Sequence, residues 1–209
     1  MDQSDLERAF NAASKISKKL LVEKMINGSD YRIHVLNGRA YRVRRRTPAS
    51  VVGDSKHSVE QLVEHFNLSL SEHQSAERHN KIVLDAEAYE LLAQQGMGAA
   101  TVPLLGKRVF LKRIANVSTG GETRAVELKD VHPENLELAE QAVQLFNLDI
   151  AAVDFLSENI EHSWREIGGA ICEINARPQF GSDAPYAIFK EFFSKGASIP
   201  TGILLSIDR

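Results

Sequence analysis

The residues best suited to chemistry stand near the end of the chain, where Glu173 and Asn175 lie two apart in the run Ala170-Ile171-Cys172-Glu173-Ile174-Asn175-Ala176-Arg177-Pro178. In an extended backbone side chains alternate between faces, so a carboxylate and an amide oxygen share one face. Hard divalent cations held beside phosphates take oxygen ligands of this kind, with water and phosphate completing the shell. A third oxygen donor, Asp154, sits in the apolar run Ile150-Ala151-Ala152-Val153-Asp154-Phe155-Leu156. The plainer alternative is that Glu173 and Asn175 merely end a strand. Cys172 reads as a small buried hydrophobe in the same run.

Arginines form the second chemical feature: Arg32, Arg39, Arg42, Arg44, Arg45 and Arg46 crowd a short segment with His34 and Tyr41 among them. Period-two alternation places Arg42, Arg44 and Arg46 on one face. Guanidiniums gathered this way repel one another unless a polyanion lies over them, and arginine offers a planar fork matched to phosphate oxygens. The competing reading is a solvated basic strand that protects a sheet edge. A third feature is the small, hydroxylated loop Ala115-Asn116-Val117-Ser118-Thr119-Gly120-Gly121-Glu122-Thr123, in which glycines would let backbone N–H groups approach an anion closely. Most loops of that composition are flexible turns.

These groups require a scaffold, and the pattern supplies one. Leu6, Ala9, Phe10, Ala13 and Ile16 recur at helical spacing behind Ser4 and Asp5, predicting a helix over 4–17 with one packed face. Leu20 to Ile26 reads as a strand interrupted by Glu23 and Lys24, which would lie exposed if that strand is a sheet edge. Tyr31–Leu36 and Arg39–Val43 flank Asn37-Gly38, a dipeptide suited to the positive φ angles of a two-residue hairpin. A turn-rich loop over 47–57 leads to a helix from Ser58 to about Phe66, opened by a Ser58/Gln61 capping box. Residues 68–80 read as an exposed loop, and His65, His73 and His79 as surface histidines.

Asp85 caps a predicted helix to Gln95 closed by Gly96, and Val109 to Leu111 forms a strand after the Leu105-Gly106 turn. Pro133 opens a helix to about Phe146 with Leu136, Ala139, Val143 and Phe146 on its core face. The Asp154 and Glu173 strands then form a hairpin whose carboxylates face each other across the ladder. Ile188, Phe189, Phe192 and Phe193 mark a final helix.

The chain has 209 residues, a formal net charge of -3 and 43% hydrophobic residues, which describes a globular protein with a real core. Its mild acidity argues against nucleic acid as a partner; an RNA-binding hairpin would show strong salt dependence. One cysteine excludes an internal disulfide and a multi-cysteine zinc site. The lack of a run of 18 apolar residues and of a signal-peptide pattern leads to the expectation of a cytoplasmic protein without membrane contact.

Ordered motifs give a resemblance that spacing alone does not. They are V-E-K-x-I-x-G-x-D-Y-R at Val22 to Arg32, R-x-P-A-x-V-x-G-D at Arg46 to Asp54, A-N-x-S-T-G-G at Ala115 to Gly121, V-H-P-E-N at Val131 to Asn135, and L-D-I-A-x-V-D-F from Leu148 followed by E-I-N-A-x-P from Glu173. Together they resemble the ATP-grasp family, in its branch of cyanophycin synthetases and bifunctional glutathione synthetases. The resemblance implies an α+β fold with an antiparallel sheet packed with helices, of which residues 1–209 would be the C-terminal portion. It further implies an ATP- and magnesium-dependent ligase, with manganese as a substitute metal, joining a carboxylate to an amine, amino acid or peptide-like, through an acyl phosphate. By the same resemblance Val22, Glu23 and Lys24 line the adenine and ribose end. Arg46 and Arg32 face the phosphates, Asn116, Thr119, Gly120 and Gly121 lie near the reacting groups, and Asp154, Glu173 and Asn175 hold magnesium. The family's lysine-bearing, glycine-rich subdomain would lie upstream, in the same or a companion chain. Gly53-Asp54-Ser55 departs from the branch, which has a second glycine there, and Arg177 occupies a position commonly small. The alternative expectation is a non-catalytic relative that binds a nucleotide or a partner.

Overall fold

A computed structural model describes residues 3–72 and 80–178, with side chains from 6 to 70 and from 80 to 178. The final helix expected around Phe189 and the histidines His73 and His79 lie outside the described residues. In chain order the elements are α1 (Gln3–Ser14), β1 (Ser29–Leu36), β2 (Arg39–Thr47), β3 (Ser50–Val52), α2 (Val59–Glu72), α3 (Ala86–Gln94), β4 (Arg108–Phe110), β5 (Glu122–Val126), α4 (Pro133–Leu145), β6 (Ile150–Ser157), α5 (Trp164–Ile167) and β7 (Ala170–Asn175).

Five strands make an antiparallel sheet in the order β5-β2-β1-β6-β7. Its centre is the hairpin β1–β2, whose turn residues Asn37 (φ 52°) and Gly38 (φ 74°) both take the left-handed conformation that this turn requires. One face of the sheet is apolar and covered by α4. Tyr31, Ile33, Val35, Val43, Ala151, Val153 and Phe155 pack there against Val131, Ala139 and Val143. The V-H-P-E-N segment ties that helix down. Pro133 sits in its first turn, and the fully buried Asn135 donates to the carbonyls of Ile160 and His162 and accepts from the Trp164 N–H. Both N–H donors and the oxygen of this buried amide are thereby directed at the β6–β7 connection, giving the motif a structural role.

Two β-bulges decide which side chains reach which face. Between His34 and Val35 the register of β1–β2 shifts, so that Tyr41 is the extra residue and Ala40 and Val43, an odd number of residues apart, both serve the apolar face. A second shift between Asp154 and Phe155 makes Cys172 the extra residue of β7. Ile171 and Ile174 then both pack toward the core while Glu173 stands opposite Asp154. Cys172 is exposed, contrary to its apolar sequence context, because the bulge lifts it out of the alternation.

A second core lies beside the two-stranded sheet β3–β4, where Ala49, Val51, Val59, Val63, Ile82, Ala88, Leu92, Val109 and Leu111 pack beneath α2 and α3. The capping box of α2 is present in both directions, Ser58 N–H to Gln61 Oε1 and Gln61 N–H to Ser58 Oγ. Asp85 caps α3 through the Ala88 N–H, and Lys112 bridges Asp85 and Glu87.

Several expectations are corrected. Residues 20–27 form no strand: the segment finds no sheet partner among the described residues, and Leu21 and Val22 are each 82% exposed. α1 ends at Ser14 and packs no face, since Leu6, Phe10 and Ile16 are exposed. α2 continues through 68–72, which had read as loop. Phe146 ends α4 exposed rather than in the core. β5 was not foreseen; it pairs with β2 from the Val43–Val126 pair to the Thr47–Glu122 pair. Among the described residues no helix is long and apolar enough to cross a membrane.

Candidate functional site

The face of the sheet opposite α4 is charged, and cross-strand register arranges it in rows. One row runs Thr123, Arg46, Asp30, Leu156 and Ala170; the next runs Ala125, Arg44, Arg32, Asp154 and Glu173; a third runs Arg42, His34, Ala152 and Asn175. Arg32, Arg46, Asn175, Asp154 and Glu173, distant in sequence, thus meet on one surface. Glu173 is directly opposite Asp154, as the hairpin reading expected, and Asn175 follows two residues on, opposite Ala152.

At the centre lies an ion-pair chain. Arg32 grips Asp154 with both arms of its fork, Nε to Oδ1 at 2.7 Å and Nη2 to Oδ2 at 2.8 Å. Arg46 Nη2 reaches the same Oδ2 at 2.9 Å and also binds Asp30, at 2.7 Å to Oδ1 and 2.8 Å to Oδ2. Arg46 and Asp154 are nearly enclosed, with side chains 11% and 4% exposed. Burial raises the Asp30 carboxyl above its ordinary value against the pull of Arg46, and the Asp154 hydrogen bonds raise the Arg32 guanidinium. The repulsion expected among the arginines is therefore relieved, for Arg32 and Arg46, by carboxylates of the chain itself. Asp30, within the Val22–Arg32 motif, has no role in the sequence reading above. Its signal was available as an acid two residues before Arg32 on the same strand face.

Donor chemistry decides whether a divalent cation fits. Asp154 has about four acceptor sites, of which the two arginines use three, so one is left on Oδ1. Glu173 is exposed, and the buried Asn175 Nδ2 has no hydrogen-bond partner. Among the described residues no three histidine, cysteine or acidic side chains cluster to hold a metal. Two carboxylates and one amide oxygen suit a magnesium-like ion whose remaining ligands are water and phosphate.

The Asn116–Gly121 loop behaves differently from its reading as an anion cradle. It closes as a 3₁₀ turn in which the N–H groups of Thr119 and Gly121 bond Asn116 O and that of Gly120 bonds Val117 O. Thr119 Oγ1 also donates to Asn116 O. These donors are spent internally. Gly121 is demanded by packing, since a Cβ there would lie 2.7 Å from Asn116 O and 2.9 Å from Thr47 O. Val22, Glu23 and Lys24 are exposed and join no element of the charged face.

A groove of about 510 Å³ opens along the edge strand β7, lined by Phe146, Leu148, Ile171, Cys172, Glu173, Ile174 and Ala176. It touches the charged face only through Glu173. On the surface near α2, His57 Nδ1 and Asp54 Oδ2 are 2.6 Å apart, and the His57 ring meets His65 edge to face.

The architecture has solved counterparts. A bifunctional glutathione synthetase from Pasteurella multocida superposes with a TM-score of 0.67 at 24% identity over 93% of this chain and 28% of that one, which identifies the fold as that of the ATP-grasp class. No family model matches the chain. Cyanophycin synthetase from Trichormus variabilis is 34% identical over 180 residues, covering 84% of this chain and 20% of the relative. The glutathione biosynthesis bifunctional protein of Desulfotalea psychrophila is 30% identical over 168 residues, 79% of this chain and 21% of its own length. Over most of its length the chain is similar to the cyanophycin synthetase and glutathione synthetase-like branch of the ATP-grasp family. It spans about a fifth of the length of the curated relatives it matches.

Proposed function

We propose that this chain is the nucleotide- and metal-binding C-terminal portion of an ATP-dependent carboxylate–amine ligase. The observation that carries this reading is the corner where Asp154 and Glu173 face each other across β6–β7, with Asn175 beside them and Arg32 and Arg46 clamped over Asp154. In the proposed reaction an acid's carboxylate oxygen attacks the terminal phosphorus of ATP, releasing ADP and leaving an acyl phosphate. An amine then displaces inorganic phosphate to form the amide.

Asp154, Glu173 and Asn175 would hold magnesium, which when bound offsets phosphate charge and orients the transferring group. Arg46 and Arg32 enter this site already oriented by carboxylates, so their remaining donors meet developing negative charge without reorganisation. Asp30 holds Arg46 in place. Asn116 is assigned to the neighbourhood of the reacting carboxylate through its side chain. Thr119, Gly120 and Gly121 are assigned to shape the loop rather than to donate N–H groups. Val22, Glu23 and Lys24 are assigned to the adenine end, where exposed backbone outside any helix or strand offers the hydrogen bonds an adenine edge needs. Acid and amine substrates of amino-acid or peptide type, and an upstream ATP-grasp subdomain, complete the proposal.

Isothermal calorimetry with magnesium and ATP tests it. Saturable binding by the wild-type chain, weakened by about tenfold or more in Glu173→Gln, is the expected result. Absence of binding at millimolar nucleotide to a folded sample removes the autonomous site. A second reading, a non-catalytic relative that binds nucleotide or a partner, is favoured by the exposed Val22–Lys24 segment and the spent loop donors. Nucleotide binding without amide formation, after an upstream subdomain is supplied, would select it.

A further inference from the structure

The apolar face of the five-stranded sheet is wider than the helix that covers it. At the usual strand spacing the sheet is about 19 Å across, whereas a helix with its side chains is about 10–12 Å wide. α4 therefore leaves a margin on that face. At the β5 margin the face carries Arg45 and Arg124, directly opposite each other and exposed, and it needs no cover. The β7 margin is apolar. Ile171 and Ile174 line it, the groove of about 510 Å³ opens there beside Phe146 and Leu148 just past α4, and Phe146 is 63% exposed.

The chain itself carries a segment that suits this groove. It leaves the groove at Ala176, and the residues beyond Pro178 include Ile188, Phe189, Phe192 and Phe193, whose spacing puts four large apolar side chains on one helical face. Pro185 suits the first turn of such a helix, and Gly196 lies just beyond its end. Residues 179–184 span at most about 20 Å, the length of the six-residue strand β7. The apolar face can thus fold back along β7, where so short a tether holds it at an effective concentration of about millimolar order. α1, whose Leu6 and Phe10 are likewise bare, forms none of the groove's described walls.

We infer that residues 185–193 dock in the β7 groove as a second helix beside α4, setting Ile188, Phe189, Phe192 and Phe193 against Phe146, Leu148, Ile171 and Ile174. This is helix-in-groove recognition within one chain, driven by apolar area removed from water. Its consequence reaches the charged face. Glu173 is at once a wall of the groove and the residue opposite Asp154, and among the described residues β7 has β6 as its one strand neighbour. A strand supported on one side opens more readily than a central one, and the docked helix supplies the second support. The segment is thereby a positioning element for Glu173 and Asn175 that touches nothing they bind. The docking stands independently of the ligase reading.

The test uses the full 209-residue chain with isotope-labelled methyl groups and phenylalanine rings. Nuclear Overhauser contacts are expected, within one molecule, between the rings of Phe189, Phe192 or Phe193 and the methyls of Leu148, Ile171 and Ile174. Phe189→Asp combined with Phe192→Asp should abolish them and speed amide hydrogen exchange along β7 by about tenfold or more, because exchange tracks the open population. Ser194→Asp puts the same charge on the opposite side of the segment and should leave that exchange within about twofold. None of the substituted positions belongs to either described core. The inference is overturned by the absence of these contacts in the wild type, by contacts found only between differently labelled molecules, by unchanged exchange in the double variant, or by equal acceleration in Ser194→Asp. Contacts in a chain that binds no magnesium–ATP would sustain the docking while removing the nucleotide reading.

Discussion

His34 makes the electrostatics of the charged face measurable. Its side chain is almost wholly buried at 2% exposure, and burial together with Arg42, Arg32 and Arg44 lowers its pKa from 6.5 to about 4. The unfolded chain binds a proton near 6.5 and the folded chain does not until about 4, so the unfolded state gains protons first on acidification. Stability from this group is therefore complete above 6.5 and is lost as pH falls toward 4, with a limiting slope of about 1.4 kcal/mol per pH unit and a total of about 3 kcal/mol. His34→Phe keeps the ring volume and removes the titration. Urea unfolding of both proteins at intervals from about pH 7.5 to 4 measures the difference in unfolding free energy, and the unfolding slopes show whether two-state behaviour holds. The wild type should lose about 3 kcal/mol relative to the variant across that range. Groups common to both proteins, such as Asp54 and Asp85 with their lowered carboxyls, cancel in the difference. A difference that stays flat with pH, or a His34 ring signal titrating above 6, would refute the reasoning.

Other outcomes follow from single contacts. Asp30→Asn removes the charge that holds Arg46 and should cost about 1–3 kcal/mol of stability while weakening magnesium–ATP; unchanged nucleotide affinity in calorimetry would deny Asp30 its positioning role. Gly28→Ala places a Cβ 2.3 Å from the Ser157 backbone at a φ of +139°, and should lower stability by more than about 1 kcal/mol in a thermal melt. Cys172 is exposed, but its Sγ donates to Asp154 O and its thiol is raised by burial and then by the Asp154 and Asp30 charges. Iodoacetamide should consequently alkylate it more slowly at neutral pH than a small free thiol, a rate that mass spectrometry follows directly.

Much of the sheet was legible because its signals are local. Asn37-Gly38 announced the β1–β2 hairpin, alternation placed Arg42, Arg44 and Arg46 together, and two apolar runs with acids announced the β6–β7 pair. What stayed hidden depends on partners or on residue count. Leu20 to Ile26 has strand composition, but strand formation needs a neighbour and the segment finds none among the described residues. β5, Glu-Thr-Arg-Ala-Val, has too little apolar alternation to stand out and is ordered by pairing with β2. Counting pairs outward from the hairpin turn sets Asp30 opposite Arg45. Only the bulge at Tyr41 brings it opposite Arg46, so the ion-pair chain could not be found by counting. The glycines of the Asn116–Gly121 loop illustrate the opposite error, since their composition suggests an open nest while the fold uses them for close packing.

The bulge at Cys172 makes the site a matter of parity. Ile171 and Ile174 both face α4, while Glu173 and Asn175 face the arginines, an arrangement that strict alternation forbids over an odd interval. Straightening the bulge while keeping Cys172 in the ladder would put the strand in one of two frames. Either Ile171 would leave the core for the charged face, or Glu173 and Asn175 would turn under the sheet. The reactive frame and the structural frame of β7 are thus two separate reading frames of one strand, spliced by a single inserted residue whose own side chain belongs to neither.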